Sequence, residues 1–321
     1  MENGTDITEF ILLGFSVIDE SRFFLFLLIF TVYIVTISAN IFIVILIKID
    51  IRLHKPMYFF IGGLSFLEIW YPSVTVPRLF WAILTKEDSI SFVGCLTQFY
   101  FHFSFGVIQH FLLAIMAYDR YVAVCIPLRY LLILSPDVCF KLLWGSWVFG
   151  FIVIIVICLQ IFNLSFCFHN KIDHYYCDFA PLVKLSCSKT SNVEKLFFAT
   201  ACFVILGCFL VIIMSYVFII RTLMRFPSSE GRHKTFSTCA SHLAVVVLFY
   251  STSIFMFIRP NAGDLIHLNK IFSIFPSIVT PLLNPLIYTL RNQEVKNAIK
   301  KAVKRIEIKH LHEATINPVK D

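Results

Sequence analysis

Residues 23–47 read FFLFLLIFTVYIVTISANIFIVILI, and this stretch contains no Asp, Glu, Lys or Arg. It is longer than the roughly 20 apolar residues that a helix needs to cross the ~30 Å hydrocarbon core of a membrane. In lipid, backbone polar groups are satisfied only within a helix or in a closed barrel. The stretch therefore predicts a membrane-spanning helix.

Similar stretches recur along the whole chain of 321 residues, of which 58% are apolar and 15% charged. This composition excludes an ordinary soluble domain. Short segments of alternating hydrophobicity, which would indicate a membrane β-barrel, are absent. We predict an all-α membrane protein, a single seven-transmembrane helix bundle. The six further spans are expected at about 57–80, 97–118, 140–162, 196–220, 236–258 and 271–290.

The distribution of charge predicts the orientation. The loops at 48–56, 119–141 and 221–235 and the tail from 291 hold 18 of the 27 Lys and Arg residues, with a net charge of +10. The opposite side has a net charge of −2, and one intramembrane acid completes the total of +7. Because basic loops stay in the cytoplasm, we expect a plasma-membrane protein with its N-terminus outside. Residues 1–22 form the outer tail, 23–290 the membrane domain and 291–321 a cytoplasmic segment.

The cytoplasmic segment begins with a basic amphipathic pattern. Between residues 292 and 308, apolar residues recur at helical spacing among Lys and Arg. The pattern predicts a short helix that lies on the anionic inner leaflet. A solvated basic tail is the alternative.

Four of the ten cysteines lie on the predicted outer side, where disulfides persist: Cys95, Cys167, Cys177 and Cys187. Four cysteines allow three pairings, and the residues themselves do not choose among them. The outer tail also carries an N-glycosylation acceptor, Asn3-Gly4-Thr5.

Polar residues in or beside the spans are candidates for mechanism. Asp119 and Arg120 lie where the third span ends, as a charge pair that can be made and broken; a pair that only decorates a helix end is the alternative. Pro285 lies inside the seventh span and removes one backbone hydrogen bond, which is either a functional or a simple packing kink. Glu68 is the lone acid deep in a span, with Asn40 and Asn284 as its expected polar neighbours.

Several strings together resemble the signature of olfactory receptors, which are rhodopsin-like (class A) G protein-coupled receptors. The short third outer loop resembles the tetrapod-type class II of that family. The strings are Pro56-Met-Tyr-Phe-Phe60, Leu64-Ser65, Met116-Ala-Tyr-Asp-Arg-Tyr-Val-Ala-Val-Cys125, Phe236-Ser-Thr-Cys-Ala-Ser-His242 and Pro281-Leu-Leu-Asn-Pro-Leu-Ile-Tyr-Thr-Leu-Arg-Asn292.

The resemblance implies an odorant receptor that activates a stimulatory, olfactory-type heterotrimeric G protein and raises cyclic AMP. It also implies disulfides Cys95–Cys177 and Cys167–Cys187. In the wider class the acid matching Glu68 helps to bind sodium, but Glu replaces the usual Asp, so a protonated, hydrogen-bonded Glu68 is an equal alternative. The implied residues for coupling and activation are Asp119, Arg120, Tyr121, Tyr216, Asn284, Pro285 and Tyr288.

The resemblance further implies a pocket for a small, mostly apolar volatile ligand between the outer halves of the third, fifth, sixth and seventh spans. Sparse polar groups in an aromatic cavity suit a small-molecule site. His102 occupies the place of the acid in amine receptors, which disfavours a cationic amine. The expected ligand-binding residues are Phe101, His102, Phe103, Ser104, Gly106, Val107, Thr200, Val204, Tyr250, Ser253, Phe257 and Ser277.

Other classes of protein fit the residues less well. A transporter or channel is the main alternative, but the chain has an odd number of spans, one buried acid and no evident repeat. An enzyme is not expected, because no set of catalytic side chains is apparent within the spans. His174-Tyr-Tyr-Cys177-Asp178 could be read as a metal site, but an oxidised Cys177 offers no thiolate. We therefore expect no metal and no cofactor.

Overall fold

A computed structural model describes residues 8–14, 19–167, 170–225, 229–258, 266–291 and 294–302. We number the spanning helices α1 to α7. The first six are α1 Asp19–Ile49, α2 Pro56–Thr85, α3 Phe92–Cys125, α4 Pro136–Phe162, α5 Ser191–Leu223 and α6 Ser229–Phe257. The seventh, α7, combines Ile266–Phe272, a π-helical turn at Phe275–Val279 and Thr280–Arg291. Short helical segments lie at Ile51–Leu53, Pro127–Arg129, Tyr130–Ile133 and Phe179–Val183.

In the described part of the chain, six helices are long and apolar enough to cross a membrane. In α6 only His242–Phe257 qualifies as an apolar helix, because polar residues precede it. The whole of α6 has 29 residues, or about 43 Å at the usual helical rise, so it also reaches across. The prediction of a seven-helix membrane bundle is confirmed.

Helix α3 lies at the centre of the bundle. In its apolar stretch 72% of the residues are buried, against 22% in α1. Gly150 allows α4 to approach α3 closely: a Cβ atom there would lie 2.5 Å from Ile108 Cγ1 and 3.1 Å from the Ser104 carbonyl oxygen. Small residues permit such close packing in membrane bundles. α3 can therefore connect the outer and inner ends of the molecule.

Local sequence explains where several helices begin. Pro56 and Pro136 occupy the first turns of α2 and α4, where a missing backbone N–H costs nothing. The Ser91 hydroxyl accepts a 3.1 Å hydrogen bond from the Gly94 N–H and caps α3. Ser135 caps α4 in the same way.

A three-stranded sheet at the end of the bundle that is predicted to be extracellular was not expected from the sequence. β1 (Glu9–Leu12) lies between β2 (Ser89–Ser91) and β3 (Lys171–Ile172), antiparallel to the first and parallel to the second. Strands of two to four residues are too short to show alternation in a sequence. Helix α1 also differs from the prediction, because it begins at Asp19 and not at residue 23.

The long loop between α4 and α5, which is predicted to be extracellular and is called the outer loop below, is held by two disulfides. Cys95–Cys177 joins the loop to α3, and Cys167–Cys187 closes the loop on itself. Their Cα–Cα distances are 5.5 and 5.8 Å, within the usual range for a disulfide. Of the three pairings open to four cysteines, the structure contains the one that the resemblance implied.

Residues 294–302 are helical after α7. Val295 and Ala298 are buried in the main core, while the Glu294 carboxylate accepts hydrogen bonds from Lys55 Nζ at 2.8 Å and Tyr58 Oη at 2.9 Å. This segment therefore has the amphipathic character expected of the C-terminal helix. The rest of the expected helix and tail, residues 303–321, lies outside the described residues.

Candidate functional site: an outer cavity and an inner charge pair

A mostly apolar cavity of about 60 Å³ lies between α3, α4, α5 and α6, beneath the long outer loop, and α2 and α7 each contribute one residue to its wall. Eight of the twelve residues expected to bind ligand line it. They are His102, Phe103, Gly106, Val107, Thr200, Val204, Ser253 and Phe257. Eleven further residues complete the wall: Tyr71, His110, Ile154, Ile157, Tyr176, Phe197, Ala201, Ile205, Phe249, Met256 and Pro276.

Four expected residues do not line the cavity. Phe101 is 39% exposed and contacts Phe151 of α4, and Ser104 lies on the face of α3 that approaches Gly150. The Tyr250 hydroxyl donates to the His110 carbonyl oxygen at 3.2 Å. The Ser277 hydroxyl is hydrogen-bonded to Tyr175 at 2.8 Å. Phe101 and Ser104 were predicted to line the cavity because they are adjacent in sequence to residues that do. Successive residues of a helix point about 100° apart, so neighbours in sequence lie on different faces.

The α3 residues in the cavity wall follow helical spacing. The prediction of ligand-binding residues did not apply this spacing. His102, Phe103, Gly106, Val107 and His110 recur at intervals of three and four residues, the spacing of one helix face. Continuing this pattern by one turn would have found His110. Tyr176 could have been found as the neighbour of Cys177, because the disulfide fixes it above α3.

The outer loop closes the cavity as a lid. Tyr176 is buried, and its ring centroid lies 4.2 Å from that of His102. The Cys177 N–H donates to Gln98 Oε1 at 3.0 Å, and Gln98 Nε2 donates to the Val74 carbonyl oxygen at 3.1 Å. The loop is thus hydrogen-bonded to α3, and α3 in turn to α2.

A second set of contacts fastens this lid to α7. Lys270 Nζ forms a 2.8 Å ion pair with Asp173, and Ser273 Oγ lies 3.4 Å from His174 Nε2. Burial lowers the pKa of His174 well below its ordinary value, and nearby His102 and Lys270 lower it further. His174 therefore stays neutral, which suits its buried position.

Asp178 is a buried acid in the same loop. It is 4% exposed, and the Tyr176 hydroxyl donates to it at 3.4 Å. Burial raises the pKa of Asp178 to about 6, although backbone N–H groups of Phe179 and Ala180 and the Tyr176 hydroxyl favour the charged form. The loop therefore contains a carboxyl group that titrates near neutral pH.

Near the C-terminal end of α3, which is predicted to face the cytoplasm and is called the inner end, Arg120 forms an ion pair with Asp119. Arg120 Nε donates to Asp119 Oδ2 at 2.9 Å, and the Tyr130 hydroxyl donates to Asp119 Oδ1 at 2.7 Å. The Asp119 side chain is only 1% exposed and that of Arg120 14%. Both oxygens of the acid are therefore occupied, and the arginine fork is held against its own helix.

Tyr216 connects α5 to α6 near this pair. Its hydroxyl donates to the Cys239 carbonyl oxygen at 3.1 Å and is hydrogen-bonded to His242 Nδ1 at 2.8 Å. The Tyr121 ring contacts Phe218 of α5 at 5.6 Å. The side chain of Tyr288, the remaining tyrosine of the expected switch, lies outside the described residues.

A polar cluster joins α1, α2 and α7 in the middle of the bundle. Asn284 Nδ2 donates to Glu68 Oε1, and Asn40 Nδ2 donates to the Pro281 carbonyl oxygen at 3.1 Å. Glu68 Oε2 and the side-chain oxygens of both asparagines are buried and have no hydrogen-bond partner in the described part of the chain. Oxygens of this kind suit water or a small hard cation, so a protonated and a sodium-bound Glu68 both fit the cluster.

In the described part of the chain, no three His, Cys, Asp or Glu side chains are grouped as metal ligands would be. Cys177, which the metal interpretation of the outer loop required, is in a disulfide. The acceptor Asn3 lies outside the described residues.

A seven-helix membrane bundle, with a lidded cavity at one end and a charge pair at the other, has the architecture of a membrane receptor. The sequence model of the family described as "Olfactory receptor" matches residues 29–305. Olfactory receptor 6B9 of Mus musculus is 44% identical over 303 residues, which cover 94% of this chain and 96% of the relative. Olfactory receptor 6F1 of Homo sapiens is 45% identical over 299 residues, covering 93% and 97%.

The chain belongs to the olfactory receptor family. It is therefore an odorant receptor of the G protein-coupled class, a multi-pass protein of the plasma membrane and not an enzyme.

Proposed function

We propose that a small, mostly apolar volatile molecule binds in the cavity beneath the outer loop. The observation that carries this proposal is the wall itself, in which aromatic and aliphatic side chains surround a few polar groups. No Asp, Glu, Lys or Arg is among the described residues that line it. A cationic amine would therefore find no charged partner there.

The size of the cavity limits the ligand further. Its volume of about 60 Å³ is below the roughly 150 Å³ of an apolar cavity that holds benzene in another protein. Ligand entry thus requires wall side chains to move. Phe103, Phe197 and Phe257 contact one another with ring centroids 5.4–6.1 Å apart, and rotation of these rings would enlarge the cavity.

Activation is proposed to open the cytoplasmic end around Arg120. Release from Asp119 would free a fork of five N–H donors for backbone carbonyl groups of a heterotrimeric G protein. The contact between Tyr216 and His242 would have to break as α6 moves away from α5. We propose the stimulatory, olfactory-type G protein, with a rise in cyclic AMP as the output.

The proposed orientation follows from the excess of basic residues on one side. Residues 1–22 are extracellular, 23–290 span the membrane seven times, and 291–321 are cytoplasmic. The sheet, both disulfides and the lid then face outside, where disulfides persist. Asp119 and Arg120 face the cytoplasm, where the G protein is found.

The test is the variant Arg120→Ala in cells that report cyclic AMP. Odorant-driven cyclic AMP should disappear while the amount of receptor at the cell surface stays close to that of the wild type. Arg129→Ala is the matched control, because Arg129 is exposed in the adjacent loop and should signal normally. Normal signalling by the Arg120 variant would contradict the proposed switch.

A further inference from the structure

His110 provides a polar group at the deep end of the cavity. It lies on α3 two turns beyond His102, which is about 12 Å along the axis. It lines the cavity and is 5% exposed. The ring rests against Phe249, with centroids 4.6 Å apart.

The position of the proton on His110 follows from one hydrogen bond. Nδ1 lies 2.7 Å from the carbonyl oxygen of Gly106. A carbonyl oxygen can only accept, so Nδ1 carries the hydrogen and donates. In a neutral imidazole the other nitrogen, Nε2, is then a hydrogen-bond acceptor.

The surroundings favour the neutral ring. No carboxylate is among the described residues that line the cavity, and an unpaired charge is costly to bury there. Tyr250, whose ring lies 5.1 Å away, already donates its hydroxyl hydrogen to the backbone carbonyl of His110. His110 Nε2 is buried and has no hydrogen-bond partner among the described residues.

We propose that the ligand supplies this missing donor. The proposed ligands are neutral hydroxyl compounds, alcohols or phenols, whose O–H donates to His110 Nε2 while an apolar body lies against Phe103 and Val107. Ethers and ketones of the same size have no donor to offer and would leave the buried acceptor unpaired, which a polar site discriminates against strongly. This inference deepens the proposed function and rests on its ligand site.

Isomeric pairs of odorants test the proposal with shape nearly constant. Cresol and anisole have one molecular formula, as do hexanol and methyl pentyl ether, and only the first of each pair has an O–H. Binding is measured as the rise in unfolding temperature of the purified full-length receptor. We expect at least one hydroxyl member to bind at an at least about tenfold lower concentration than its isomer.

Three variants test whether a preference for hydroxyl compounds depends on His110. His110→Phe keeps an aromatic ring and should lose the preference, because hydroxyl binding weakens about tenfold and ether binding does not. His110→Gln keeps an acceptor near the same place but can also donate, so it should bind ethers and ketones better than the wild type does. Tyr118→Phe changes a 37% exposed residue of the same helix that does not line this cavity, so it should retain the preference.

The proposal would be overturned if both members of every pair bound equally well. It would also be overturned if only ethers or hydrocarbons bound, or if no hydroxyl probe bound. A preference that survives in His110→Phe would do so as well. Because the temperature shift does not depend on G protein coupling, these outcomes are separate from a failure of cyclic AMP signalling, which would count against the proposed function.

Discussion

The side-chain amide of Asn40 donates a 3.1 Å hydrogen bond to the backbone carbonyl oxygen of Pro281, 241 residues further along the chain. In a regular helix the backbone N–H of residue 285 would donate a hydrogen bond to this carbonyl oxygen. Residue 285 is a proline and has no N–H. α1 thus satisfies, in the buried middle of the bundle, the backbone group that the proline in α7 leaves unpaired.

Asn40→Ala should therefore destabilise the receptor by about 1–3 kcal/mol, because it leaves a buried carbonyl unpaired. The measurement is the thermal or denaturant unfolding midpoint of the purified receptor. Pro285→Ala restores an N–H at position 285, so Asn40→Ala should cost less in that background. Equal losses in both backgrounds would show that the Pro281 carbonyl is not what Asn40 stabilises.

Phe103 and Phe101 form a matched pair for the ligand site. Phe103 is 8% exposed and lines the cavity, whereas Phe101 is 39% exposed and does not. Phe103→Ala should raise the odorant concentration for half-maximal cyclic AMP by about tenfold or more, since it removes about 1–3 kcal/mol of apolar contact. Phe101→Ala should change it far less. The reverse ranking would place the site on the other face of α3.

Tyr130 holds the acid of the inner charge pair with a 2.7 Å hydrogen bond. Tyr130→Phe removes only the hydroxyl, and a hydrogen bond to a charged group contributes about 1.5–3 kcal/mol. We expect ligand-independent cyclic AMP to rise severalfold, because Asp119 then restrains Arg120 less. Tyr118→Phe is the control, since that ring precedes Asp119 on α3 and is 37% exposed. Unchanged basal signalling in the Tyr130 variant would argue against this restraint.

We predict that the stability of the folded receptor depends on pH through Asp178. Its pKa is raised to about 6 in the folded receptor, against about 3.9 in an unfolded chain. The folded state therefore binds the proton more tightly. Its contribution to stability is fully present below pH ~4 and is lost as pH rises through ~6, a change of about 3 kcal/mol.

Asp178→Asn removes this titration, so the unfolding temperature of the variant should fall less than that of the wild type between pH ~4 and ~7. The difference between the two curves is the measured quantity, because other groups titrate in both proteins. Parallel curves would mean that Asp178 is charged in the folded receptor throughout this range.

The sequence predicts the bundle well because its signals are local. Six of the described helices contain a long apolar run, and Asp119, Arg120 and Asn284 stand in strings that are recognisable without a structure. The neighbourhood of Glu68 and Asn284 was also expected. The direction in which each side chain points around its helix axis was not predicted. Phe101 and Ser104 were therefore expected in the cavity wall, and His110 was missed.

The outer sheet could not be predicted for a different reason. β1 has four residues and β3 has two, so neither shows a period. Their pairing depends on contacts between distant parts of the chain, for which no local pattern exists. The hydrogen bonds from the outer loop to Ser273 and Ser277 are equally non-local.

The position of β1 in the sheet has a consequence for biosynthesis. Ile11 pairs with Ser89 and with Lys171, which follow it by 78 and 160 residues. Because a chain is made from its N-terminus, β1 has no β2 to pair with until α1 and α2 have been made, and no β3 until α4 has been made. Loop closure over such distances delays assembly. The lid is therefore completed late, and until Cys95 and Cys177 are joined the apolar cavity beneath it lacks its cover.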